Sequence, residues 1–99
     1  MARSVIQTEK ECFVCRELMH INCTINLEEH HIYMGNPKRQ LSEQYGLKVH
    51  LCKRHHTGNE GVHHNRPLDL WLKRIGQTKF EEIHSREFFM QLFGRNYID

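Results

Sequence analysis

Four cysteines and nine histidines in 99 residues are the part of this sequence best equipped for chemistry, and their spacing sorts them. Cys12 and Cys15 form C-x-x-C, and Cys52 and His55 form C-x-x-H. Structural zinc takes four thiolate or imidazole ligands in a tetrahedron and favours two short-spaced pairs. The two pairs predict one structural Zn2+ that staples the N-terminal region to the segment after residue 47. Cys23 is the odd thiol and is the alternative to His55 as fourth ligand. A redox role for the C-x-x-C would require a βαβ setting, which the pattern lacks.

Six of the histidines stand in adjacent pairs: His30 and His31, His55 and His56, His63 and His64. Successive side chains diverge by about 100° on an α-helix and alternate faces on a strand, so adjacent histidines are poorly placed to share one ion. If His55 completes the zinc site, His56 faces elsewhere. The remaining paired histidines suffice for a second metal site of two or three ligands, leaving one for proton chemistry. His20, His50 and His84 stand apart and read as surface residues.

The elements that must position these groups are short. "LKVHLC" alternates, with Leu47, Val49 and Leu51 on one side and Lys48 and His50 on the other, as in a half-buried strand ending at Cys52. A helical turn starts at Lys53 and stops at the glycines of "TGNEG". Ile25 and Leu27 lead into "HHIY" as an extended stretch, residues 3–8 alternate weakly as another, and "RELMHINCTIN" is a connection or small insertion. Asn36 and Pro37 suit the N-cap and first turn of a short helix carrying Leu41 and Tyr45 and closed by Gly46. Behind Pro67, Leu68, Trp71, Leu72 and Ile75 form a helical stripe that Phe80 and Ile83 extend past Gly76. Ser85 caps a last helix with Phe88, Phe89, Leu92 and Phe93 on one face, and Gly94 closes it. Both stripes predict core packing.

Hydrophobic residues make up 38% and charged residues 26% of the chain, which fits one soluble domain small enough to benefit from a metal staple. No apolar run approaches the roughly 20 residues needed to span a bilayer, and "MARSVIQTEK" has no apolar signal region. The expected setting is cytoplasmic, where thiols stay reduced. A formal net charge of +2 permits nucleic acid as a partner without requiring it.

Taken together, "CFVC", "EHHIY", "LCKRHH" and "GVHHN" resemble the HNH endonuclease superfamily, in particular small phage and prophage HNH proteins. The motifs run from Cys12 to Asn65. The resemblance implies an α+β fold: a zinc-stabilised ββα-metal (HNH, or His-Me finger) domain over residues 12–65, with accessory C-terminal helices over 67–93. It implies hydrolysis of phosphodiester bonds in DNA, with His31 as general base and His30, His56 and His63 holding a catalytic Mg2+, Mn2+, Ni2+, Co2+ or Zn2+. Cys12, Cys15, Cys52 and His55 would hold the structural zinc, and the setting would be a bacterial host cytoplasm. Where the superfamily commonly has the Asn that orients the base, this chain has Leu47; Asn59, Asn65 or a backbone carbonyl would have to replace it. Lys38, Arg39, Lys53, Arg54 and Arg66 are the candidate contacts to the DNA backbone. Neither a membrane nor a small-molecule substrate is expected. The rival readings are a non-catalytic zinc-stabilised nucleic-acid-binding module, and a zinc-stapled partner-binding protein using the aromatic face of "EFFMQLFGRNYID".

Overall fold

A computed structural model describes residues 3–99. It has an α+β architecture in which a two-stranded antiparallel sheet packs among helices. Strand β1 (Leu27–His31) pairs with β2 (Lys48–Cys52), His30 opposite Val49 and His31 opposite Lys48. Their period of two sends His30 and His31 to opposite faces. As the alternation in "LKVHLC" predicts, Leu47, Val49 and Leu51 are buried; Lys48 is buried as well, because two carboxylates receive its ammonium.

Helix α1 (Lys38–Tyr45) occupies the connection between the strands. Asn36 does not cap it: the helix begins one residue later than that reading requires, with Pro37 in the N-cap position and no side chain capping the first turn. Gly46 ends the helix at φ 70°, where a Cβ would also overlap the Arg3 carbonyl. The buried Ser42 hydroxyl accepts from the Tyr33 N–H at 3.1 Å and donates to the Tyr33 carbonyl at 3.0 Å, fastening α1 to the chain just past β1.

Helix α2 (Lys53–His56) leaves β2 directly. Helix α3 (Arg66–Glu81) is capped by Asn65, whose Oδ1 accepts from the Leu68 N–H at 3.1 Å. The helix stops short of Ile83, because the chain folds back with the Ile83 and His84 N–H groups both on the Phe80 carbonyl, and Ile83 is left exposed. Helix α4 (Arg86–Phe93) is capped by Ser85 and closed by Gly94, as its sequence predicts.

Residues 3–8 do not form the expected strand. They lie along β2, but side chains take the ladder positions. Ser4 Oγ donates to the Lys48 carbonyl, Gln7 Oε1 accepts from the His50 N–H at 2.8 Å, and Ser4 Oγ also receives the N–H groups of Ile6 and Gln7. Polar side chains that bond backbone groups compete with regular pairing. "RELMHINCTIN" is an exposed excursion that opens with a π-helical turn, Cys15–Met19.

Two hydrophobic clusters result. One gathers Phe13, Val14, Val49, Leu51, Val62, Leu68 and Leu72 around the buried cysteines. The other is aromatic, with Tyr33, Phe80, Phe89 and Phe93 beside Ile32 and Leu47. Helix α3 serves both. Among the described residues no helix is long and apolar enough to cross a membrane.

Candidate metal centres

The exit of β2 and the first turn of α2 bring Cys52 and His55 against Cys12 and Cys15. His55 Nδ1 lies 3.7, 3.4 and 3.4 Å from the sulfurs of Cys12, Cys15 and Cys52, and the Cys15 and Cys52 sulfurs are 3.8 Å apart. Zinc bonds of about 2.3 Å to sulfur and about 2.0–2.1 Å to nitrogen give tetrahedral edges of about 3.5 Å (S···N) and about 3.8 Å (S···S). The four donors therefore frame a cavity of zinc's size. A disulfide would need sulfurs about 2.05 Å apart, and all four cysteines are free.

The electrostatics agree. Burial, and then the neighbouring Cys12 and Cys52, push the Cys15 thiol up, so three thiolates crowded here call for a cation among them. Burial, then the Arg54 guanidinium, lowers His55 and keeps its imidazole neutral. The cluster is compatible with a structural zinc site. Cys23 lies outside it, with its thiol 3.9 Å from the Ile25 carbonyl.

A second cluster collects His30 from β1, His56 from α2 and His63 from the loop before α3, with ligand atoms within 4.8 Å of one another. Ring centroids are 5.2 Å apart for His30 and His56, 5.5 Å for His30 and His63, and 5.0 Å for His56 and His63. His30 is 2% exposed, and neither ring nitrogen has a hydrogen-bond partner among the described residues. Burial, followed by the positive fields of His56 and His63, pushes it down to about 3, so it stays neutral with a lone pair to offer. Glu28 Oε1 sits 3.0 Å from His56 Nδ1, the carboxylate-to-imidazole contact that fixes a ligand's tautomer and leaves Nε2 for a metal. Exposure rises from His30 through His56 to His63, so the cluster opens to solvent on the His63 side. His64 is exposed and outside it.

His31 lies on the other face of β1 in a charged network. Its Nε2 is 2.9 Å from Glu43 Oε1 and 3.9 Å from Glu29 Oε1, while Lys48 Nζ is 2.7 Å from Glu43 Oε2 and 3.4 Å from Glu29 Oε2. Hydrogen bonds from Lys48, then from His31, hold the Glu43 carboxyl down at about 2. Burial opposes the Lys48 charge, but Glu43 and Glu29 outweigh it and raise the ammonium's pKa. Glu29, His31 and Glu43 thus form a third metal-like grouping, and Lys48 already supplies its cation.

Sequence reasoning missed Glu43 and Glu28. The partner of His31 is neither Asn59 nor Asn65, and Asn65 is committed to capping α3. Glu43 stands twelve residues after His31, and its only sequence signal is its place next to Ser42 on the α1 face that meets β1. Of the basic residues, Lys53 and Arg54 are exposed on α2 beside the paired histidines, and Arg66 is exposed at the start of α3. Arg39 is exposed and Lys38 half-buried at the start of α1. Arg54 is paired with Glu60. A scan against protein-family models and searches of curated proteins and of solved structures give no match to this chain.

Proposed function

We propose that this chain is a metal-dependent endonuclease of the HNH (His-Me finger) type that hydrolyses phosphodiester bonds in DNA. One observation carries the reading: a buried His30 whose ring nitrogens lack partners among the described residues faces His56 and His63, while the next residue, His31, stands at the end of β1, where a strand can bend, with one ring nitrogen engaged. The succession β1, β2, α2, with His30 on the first strand and His56 on the helix, supports a ββα-metal arrangement. Helix α1 is an addition within its strand connection.

Hydrolysis needs a base for the attacking water and charge neutralisation at the phosphate. With Nε2 bound to Glu43, His31 offers Nδ1 to the water. As the water oxygen bonds to phosphorus, its proton passes to Nδ1, the bond to the 3′ oxygen breaks, and that oxygen takes a proton from solvent. A divalent cation held by His30, His56 and His63 would neutralise charge on the phosphate and the leaving oxygen, and three imidazoles suit Mn2+, Ni2+, Co2+ or Zn2+ better than Mg2+. Lys53, exposed at the start of α2, and Arg66, exposed three residues after His63, with Lys38 and Arg39 at α1, are suited to holding the DNA backbone without reading bases.

The test is relaxation or linearisation of supercoiled plasmid across Mg2+, Mn2+, Ni2+ and Co2+. Cleavage should stop with EDTA and with His31→Ala, the variant keeping its structural zinc by non-denaturing mass spectrometry. Cleavage that survives His31→Ala refutes the base assignment. Wild type that binds DNA and never cuts establishes the non-catalytic module instead.

A further inference from the structure

We propose that Glu43 is the positioning residue for His31, in place of the Asn absent at Leu47, and that it sets one tautomer of the His31 ring. The catalytic meaning rests on the nuclease reading; the tautomer does not. An ionised carboxylate can only accept hydrogen bonds. The 2.9 Å contact of Glu43 Oε1 with His31 Nε2 therefore puts the ring proton on Nε2 and the lone pair of the neutral ring on Nδ1. An Asn amide can donate or accept by turning over, whereas a carboxylate imposes one choice.

The carboxylate is itself held. Lys48 stands directly opposite His31 across the ladder and takes Oε2 at 2.7 Å, leaving Oε1 for the imidazole. The preceding residue, Ser42, is fully buried and bonded both ways to Tyr33, two residues past His31. Helix and strand are thus joined one residue from Glu43 and two from His31. The hold of Lys48 and His31 also keeps Glu43 ionised far below neutral pH.

The experiment is long-range 1H–15N correlation on zinc-loaded protein with 15N-labelled histidine at about pH 8, with His31→Gln to assign the signal. Wild type should show His31 protonated on Nε2 and bare on Nδ1. Glu43→Ala should give a mixture of tautomers, and Glu43→Gln, whose single amide oxygen is claimed by Lys48 and whose NH2 then faces the ring, should move the proton towards Nδ1. A proton on Nδ1 in wild type, protons on both nitrogens, or a tautomer unchanged in Glu43→Ala each overturns the proposal. The wild-type spectrum decides this even if a variant fails to fold. On plasmid, Glu43→Ala and Glu43→Gln should each lower kcat at least about 10-fold, with DNA KM unchanged. If the tautomers behave as stated and wild type never cuts DNA, the nuclease reading fails and the positioning stands.

Discussion

His30→Leu should stabilise the protein when only the structural zinc is bound, and should abolish any further stabilisation by added metal. His30 is 2% exposed with two unpartnered ring nitrogens, and a buried polar group without a partner costs about 1–3 kcal/mol. Leucine is of similar size and makes no such demand. The variant should therefore gain about 1–3 kcal/mol with the second site empty, or about 4–8 °C in Tm per kcal/mol for a domain of this size. Added Co2+ or Ni2+ at about 100 times Kd should then stabilise wild type by about 2.7 kcal/mol and leave the variant unmoved. Acid supplies a second readout. The folded-state pKa of His30 is lowered to about 3 from an ordinary 6.5 by burial, then by His56 and His63, so the unfolded chain binds the extra proton between these values. Wild type is fully stable in this respect above about pH 6.5. It should lose up to about 1.4 kcal/mol per pH unit as pH falls towards about 3, a loss missing from His30→Leu. Denaturant titrations of zinc-loaded protein across pH, with and without Co2+, measure all three effects. A variant less stable than wild type without added metal would refute the premise that His30 is an unsatisfied group awaiting a ligand.

Three further outcomes follow from the geometry. Cys52→Ser should abolish tight zinc binding and the cooperative thermal transition, because the cluster ties residues 12 and 15 to the end of β2; one zinc still bound in non-denaturing mass spectra would contradict this. Glu28→Gln should weaken Co2+ binding at the His30 cluster by about 10–100-fold without loosening the structural zinc, read by calorimetric titration, since Glu28 touches only His56 there. Gly76→Ala should destabilise: a Cβ would meet Tyr33 Oη at 2.9 Å, and overpacking of about 1–3 kcal/mol exceeds the roughly 1 kcal/mol of helix propensity gained. A higher urea midpoint would show that Tyr33 yields easily.

What the sequence makes legible is local. Cys12, Cys15, Cys52 and His55 announce themselves by spacing, and His55 and His56 diverge because adjacent helical residues must. Gly46, Ser85 and Gly94 end or cap helices where their conformational and bonding preferences suit them. The misreadings share a different cause. Residues 3–8 look strand-like, yet Ser4 and Gln7 satisfy the β2 edge with side chains, and alternation cannot distinguish that from a ladder. Asn36 has cap chemistry, but α1 begins one residue later, with Pro37 in the cap position. Phe89 and Phe93 are no misreading: they bury against Tyr33 as their core stripe predicts, which removes them from the rival partner-binding face. Glu43 is invisible because its significance depends on where α1 is fastened, a matter of the Ser42 and Tyr33 bonds and not of any local pattern.

That fastening also gives the C-terminal helices a part beyond bulk. Because side chains alternate along a strand, slipping β1 by one residue would exchange His30 and His31 between the imidazole cluster and the carboxylate network. β1 has little of its own to prevent this: Glu28 and Glu29 are exposed and Leu27 only half-buried. The residues just after it carry the constraint. The Ile32 N–H bonds the Leu47 carbonyl at 3.0 Å, and Tyr33 is 1% exposed, with its ring against Phe89, Phe93 and Tyr97 and its hydroxyl donating to the Lys73 carbonyl at 2.6 Å. A slip would pull Tyr33 from an aromatic pocket built by α3, α4 and the C-terminal residues, and would break both bonds to Ser42. Phe89, Phe93 and Tyr97, remote in sequence from every paired histidine, thus help through Tyr33 to keep each histidine on its own face of β1.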